Sequence, residues 1–185
     1  MLSFLRRQES TFDILKKRFP LLRKESMIEI ERKFLVNSEA YKNESRQKTT
    51  IIQGFLNTDP ERTVRIRIRG EMGFITVKGK SNDTGTTRFE WEDNLNIKDA
   101  RTLLNFCEPG IIEKTRYEVS VGKSLYEVDE FHGENEGLVI AEIELKSETA
   151  PFQKPDWLGA EVTGDIRYYN SNLGKNPYKN WKDET

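Results

Sequence analysis

From residue 27 onward, apolar and polar residues alternate along the chain. Ile28, Ile30 and Phe34 fall between or just after Glu29, Glu31 and Lys33, and Val64, Ile66 and Ile68 interleave with Arg65, Arg67 and Arg69. Successive side chains of a strand point to opposite faces, so a period of two marks half-buried strands. The pattern predicts eight of them, near 27–35, 49–57, 62–69, 73–80, 86–93, 111–120, 124–131 and 138–147. Turn-forming stretches separate them: "NTDPE" at 57–61, "GEMG" at 70–73, "KSNDTG" at 80–85 and "VGKS" at 121–124. One internal helix is predicted from Ile97 to Phe106, capped by Asn96, turning Ala100, Leu103, Leu104 and Phe106 toward a core and stopped by "EPG" at 108–110. Further on, "EVTGD" at 161–165 reads as a strand or turn, and Ile166 to Leu173 as a short helix. The fold class is α+β, mainly antiparallel β.

The polar positions of each strand share one parity and therefore one face. They are Glu29, Glu31, Lys33; Arg65, Arg67, Arg69; Lys78, Lys80; Arg88, Glu90, Glu92; Lys114, Arg116; Glu127, Asp129; and Glu142, Glu144. Two architectures satisfy this. An ordinary sheet or sandwich would bury the apolar faces and show the charges to water. Against it, acidic and basic doublets are kept on separate strands, whereas a solvent face normally intersperses signs. The alternative is a closed barrel with apolar residues outward and a charged lumen. Buried charge is costly unless paired, coordinated or filled by a charged ligand, so such a lumen asks for an anion and a metal.

Composition narrows the chemistry. The 185 residues fit one domain, with the first 26, rich in Arg and Lys among loosely helical apolar positions, forming an amphipathic extension and 176–185 a solvated tail whose Trp181 can tuck back onto the barrel. Thirty Lys+Arg against 31 Asp+Glu give no net attraction to nucleic acid or an anionic membrane. The single cysteine, Cys107, suits a reducing cytosol, and no apolar run approaches a membrane span. A cytoplasmic protein is expected. With one histidine, His132, zinc clusters and Ser-His-Asp catalysis are poor fits, which leaves carboxylates, lysines and arginines to act.

"EIERKFLV" carries a Glu-x-Glu-x-Lys signature, and "QGFL", "VRIR", "TVKGK", "RFEWE", "EKTRY", "EVDEF" and "AEIEL" follow in order. In these eight motifs the chain resembles the CYTH domain, or triphosphate tunnel metalloenzyme, superfamily, in particular its bacterial inorganic tripolyphosphatases, over a domain spanning 27–175. The resemblance implies a closed eight-stranded antiparallel tunnel with a charged lumen, flanked by a few helices. It also implies a divalent cation and a small-molecule triphosphate substrate.

On that footing, Arg65, Arg67, Lys78, Arg88, Lys114 and Arg116 would surround the phosphates, the arginines as bidentate forks and the lysines as point charges. Glu29, Glu31, Glu142 and Glu144 become neighbours if the barrel closes, forming an oxygen-only site suited to Mg²⁺ or Mn²⁺. Lys33 would reach the phosphates or the attacking water. Asp129 is assigned with the metal ligands, and Glu90 and Glu92 as supporting groups linked through water or holding the arginines. One departure stands out: the family's "QGYL" tyrosine, thought to orient water with the signature lysine, is Phe55 here. Tyr117 and Tyr126 would sit on the apolar face. The expected reaction is metal-dependent hydrolysis of tripolyphosphate to diphosphate and phosphate. The alternatives are an enzyme of organic triphosphates, such as a thiamine triphosphatase or class IV-type adenylate cyclase, or a non-catalytic polyphosphate-binding module. A homodimer is compatible with the sequence.

Overall fold

The computed structural model describes residues 28–183, with side chains through Trp181. The amphipathic extension expected over the first 26 residues lies outside the described residues. The eight expected strands form as β1 (Ile28–Val36), β2 (Ser45–Asn57), β3 (Arg62–Arg69), β4 (Met72–Gly79), β5 (Thr87–Leu95), β6 (Ile112–Val121), β7 (Ser124–Phe131) and β8 (Val139–Glu144). They hydrogen bond antiparallel in the order β5-β4-β3-β2-β6-β7-β8-β1, and β1 returns to β5 to close the ring. The open sandwich is thereby ruled out. Closure rests on three register pairs, Ile28 with Phe89, Glu29 with Arg88 and Ile30 with Thr87. The far half of β1 instead pairs with a short ninth strand, β9 (Leu158–Glu161), through Phe34 and Val36. "EVTGD" is thus the end of a strand followed by a turn, with Gly164 at φ +80°.

Three apolar clusters cover the outside or plug an end. Phe34, Tyr117, Tyr126, Val128, Ala141 and Ile143 pack with Tyr41 and Trp157 on the outer face of β6, β7, β8 and β1. Tyr41 comes from α1 (Ala40–Glu44), a five-residue helix too short to show periodicity in the sequence. Ile66 and Ile68 pack under α2 (Ile97–Leu104), capped as expected by the Asn96 side chain, which accepts from the Lys98 N–H at 2.9 Å. α2 can lie this close because Gly73 has no side chain: a Cβ there would stand 2.6 Å from the Ala100 methyl. Phe106, expected in the core, is 73% exposed, because the helix ends at Leu104 and the following turn takes the ring out of helical phase.

The third cluster uses lumen parity. Ile112, Phe131 and Ile140 continue the inward rows of Lys114, Asp129 and Glu142, and pack against Leu173 of α3 (Asn170–Leu173). Tyr178 and Trp181 pack on this cluster, so the C-terminal turn lies against the barrel. One end of the tunnel is therefore apolar and plugged on the β6–β8 side, and charge is confined to the middle.

Candidate active site

The inward positions of seven strands carry ionisable groups, and closure gathers them into three ion-pair groups. On the wall of β1, β4 and β5, Arg88 donates from Nε to Glu29 at 2.9 Å and from Nη2 to Glu31 at 2.7 Å, while Lys78 lies 3.0 Å from Glu29 and 2.5 Å from Glu90. On β3, β4 and β5, Arg65 and Arg67 share Glu92 at 3.3 and 2.9 Å, and Thr76 donates to the same carboxylate at 2.6 Å. On β6, β7 and β8, Asp129 accepts from Lys114 at 2.5 Å and from Arg116 Nε at 2.7 Å, and Arg116 also reaches Glu142 at 3.1 Å and Glu127. Lys33 joins the first and third groups, bound to Glu142 and 3.1 Å from Glu31.

Burial alone would discharge these groups; their partners decide the outcome. Burial works against the Lys33 ammonium, but Glu142 and Glu31 outweigh it and hold it above the ordinary lysine range. Arg88 is raised for the same reason, by Glu31 and Glu29 against burial. Burial also opposes the Glu90 carboxylate, yet Lys78 brings it down to about 2. Asp129 and Glu142 are likewise lowered, by Arg116 and Lys33 respectively, despite complete burial. Two cations go the other way. Burial lowers Lys114 to about 8, with Arg116 adding repulsion, and lowers Arg67 to about 10, with Arg65 adding repulsion.

A cavity of about 420 Å³ opens from one mouth into the charged region. Lys33, Arg65, Lys78 and Arg88 face it from β1, β3, β4 and β5, and Phe55 lines it from β2. Its rim is set by the 81–85 loop and the C-terminal segment, which touch where Gly85 (φ +72°) meets Gly164; a Cβ on Gly85 would lie 2.4 Å from the Gly164 Cα. Of the other expected phosphate ligands, Arg67, Lys114 and Arg116 lie deeper, all nearly inaccessible. Glu144 is exposed, opposite Glu31 in register. Lys80 sits on the rim, paired with Glu61 at 2.9 Å. Both oxygens of Asp129 are engaged by Lys114 and Arg116.

The carboxylates fit a hard divalent cation in donor type, all being oxygen donors, and Glu31 and Glu144 are opposite one another in register. Among the described residues no three acidic, histidine or cysteine side chains are gathered at coordinating distance; oxygens of Glu29, Glu31 and Glu142 are paired with Arg88 and Lys33. Tyr117 and Tyr126 point outward, as their apolar parity predicts, and do not replace the hydroxyl missing at Phe55; their hydroxyls donate to Glu130 and to the Gln153 carbonyl. The tyrosine that does line the cavity is Tyr169. Two further inward side chains, Thr76 and Gln53, were given no role by the sequence. Their parity with Lys78 and Phe55 was the available signal.

Fold and site together define a closed antiparallel barrel with an ion-paired lumen and a cation-lined cavity. The chain belongs to the CYTH domain family, which it matches over residues 27–172. It is 51% identical over 156 residues to an inorganic triphosphatase of Acetivibrio thermocellus, covering 84% of this chain and 98% of that protein. It is 36% identical over 152 residues to an inorganic triphosphatase of Nitrosomonas europaea, covering 80% of this chain and 97% of that one. The crystal structure of an inorganic triphosphatase, 34% identical, superposes with a TM-score of 0.57 over 79% of this chain and 93% of that chain. Membership implies a divalent metal. Among the described residues no helix is long and apolar enough to cross a membrane.

Proposed function

We propose that the protein is a cytoplasmic, divalent-metal-dependent inorganic triphosphatase, hydrolysing tripolyphosphate to diphosphate and phosphate. The observation that carries this reading is the convergence of Lys33, Arg65, Lys78 and Arg88 from four strands on one cavity. A short polyanion needs cations on several sides at once, which a single surface patch does not provide. The relatives named inorganic triphosphatases, aligned over nearly their whole length, support the choice of substrate.

In this reading Arg65, Arg67, Lys78, Arg88, Lys114 and Arg116 neutralise the phosphate oxygens, and Lys33 orients the attacking water or the phosphate it approaches. Glu29, Glu31, Glu142 and Glu144, with Asp129 behind them, would hold Mg²⁺ or Mn²⁺. When bound, that ion neutralises phosphate charge and aligns the displacement. The internal ion pairs have a second use: they keep the lumen folded and charged without ligand, and exchange partners when a polyanion enters. Arg88 and Lys33 then turn to phosphate as their carboxylates turn to metal. Glu90 and Glu92 keep Lys78, Arg65 and Arg67 in place.

Phosphoryl transfer needs little covalent help from a protein, so the lack of a nucleophilic Cys or His in the cavity fits. The test is phosphate release from tripolyphosphate, ATP and thiamine triphosphate by the purified protein, with Mg²⁺, Mn²⁺ or chelator. Fastest release from tripolyphosphate, abolished by chelator, is expected. Turnover of an organic triphosphate in its place, or cyclic nucleotide formation from ATP, would overturn the substrate assignment.

A further inference from the structure

Gln53 lies in the middle of β2 on the inward face, two residues before Phe55, which lines the cavity. It is 0% exposed, and neither its Nε2 nor its Oε1 has a hydrogen-bond partner among the described residues. Exchanging the two amide atoms changes nothing, since both are unpaired. A buried amide without partners is disfavoured, and an apolar side chain of the same length would fill the position without that cost.

Its surroundings share the defect. Gln53 stands directly opposite Arg67 on β3, and the Nε–H groups of Arg67 and Arg65 are also buried without partners. Three donors and one acceptor are thus unpaired at adjacent positions of two paired strands, just behind Arg65 at the cavity wall. In the ligand-free barrel the Oε1 of Gln53 does not accept from Arg67 Nε–H, although opposed Cβ atoms lie roughly 5 Å apart and a side-chain rotation would bring the two together. With that bond made, the Nε2–H donors would remain for a ligand in the lumen, the side of the sheet that the parity of Gln53 with Phe55 assigns to it. Burial, with repulsion from Arg65, depresses Arg67 in the same place.

We propose that Gln53 is a substrate-binding residue: its amide donates to a non-bridging oxygen of the innermost phosphate while its carbonyl fixes the fork of Arg67. The proposal rests on the reading of the lumen as the triphosphate site. It assigns a neutral donor to an array of cations. Such a donor adds direction to phosphate recognition without adding charge that must be balanced when the site is empty.

The test compares Gln53→Met and Gln53→Glu with the wild-type protein, reading ligand-free Tm, the Tm shift caused by tripolyphosphate with Mg²⁺, and KM and kcat for tripolyphosphate. Gln53→Met should keep or raise the ligand-free Tm, because it removes unpaired polar atoms. It should shrink the tripolyphosphate-induced shift and raise KM about 10-fold with a smaller change in kcat. Gln53→Glu keeps the acceptor for Arg67 but loses the donor and adds negative charge, so its KM should rise further. A Met variant with unchanged KM and unchanged ligand-induced shift would overturn the proposal. So would one whose ligand-free Tm falls while its KM holds, the mark of a structural residue. If tripolyphosphate fails to shift the Tm of the wild-type protein, the reading of the lumen fails and Gln53's role fails with it. If it shifts the Tm without turnover, only the catalytic assignment fails, and the shifts still decide Gln53.

Discussion

On the wall made by β6, β7 and β8, Lys114, Arg116, Asp129 and Glu142 are bound to one another, and Lys114 and Asp129 are each 1% exposed. On the opposite wall, Arg65, Lys78 and Arg88 are also paired with carboxylates but face open cavity. The residue types are the same and the consequences differ. Where charges are sealed together, removing one leaves another short of a partner in a low-dielectric interior, so a substitution on that wall costs stability before it costs binding. Where water and ligand can enter, the same pairs can be broken by a competing anion, so that wall can behave as a site. Lys33, tied to both Glu31 and Glu142, joins the two.

The sharpest break of this contrast is Asp129→Asn. It leaves Lys114 without a carboxylate and Arg116 with only Glu142 and Glu127, and should cost about 3–5 kcal/mol in urea unfolding, as loss of one partner of a buried pair does elsewhere. Arg88→Ala, on the open wall, should instead leave Tm within a few degrees while lowering kcat/KM for tripolyphosphate about 10²–10³-fold, the usual loss for one donor aimed at transition-state charge. If Arg88→Ala proved the more destabilising of the two, the walls would not differ as described.

An acid titration comes next. The Glu90 carboxylate titrates at about 2 when folded, below its unfolded value, so the stability it confers is present above about pH 4.5 and disappears as pH falls toward 2. Glu90→Gln should therefore be less stable at pH 7, by up to about 3 kcal/mol, with the gap to wild type closing across that window in chemical denaturation. The smallest effect expected is that of Phe55→Tyr, which returns a hydroxyl to the cavity wall. A several-fold gain in kcat on tripolyphosphate with unchanged Tm is expected, on the scale of one added hydrogen bond. An unchanged rate would assign the work of that hydroxyl to another group.

The contrast also explains what could be read before the structure was known. The strands and the charged face were legible because Arg65 and Arg67 alternate with Val64, Ile66 and Ile68, a local property of eight residues. Closure was not, because it depends on three pairs joining β1 to β5 across some sixty residues of chain. Parity identified Lys114 and Arg88 alike as inward cations. It could not tell that one would be sealed and the other would face a cavity, since that depends on Leu173 and the C-terminal segment plugging one side. Gln53 went unremarked because an uncharged residue among arginines draws notice only when its neighbours fail to satisfy it. Phe106 was misplaced because the helix ended two residues early.

The central claim is that an enclosed lumen receives the polyanion. A crystal structure of the protein with tripolyphosphate and Mn²⁺ tests it most directly. The account predicts phosphate density inside the barrel, between Lys33 and the Arg65–Arg88 wall, with the metal beside Glu29 and Glu31. Density bound only to the outer surface, with Lys33 still locked to Glu142 and Arg88 to Glu29, would contradict it.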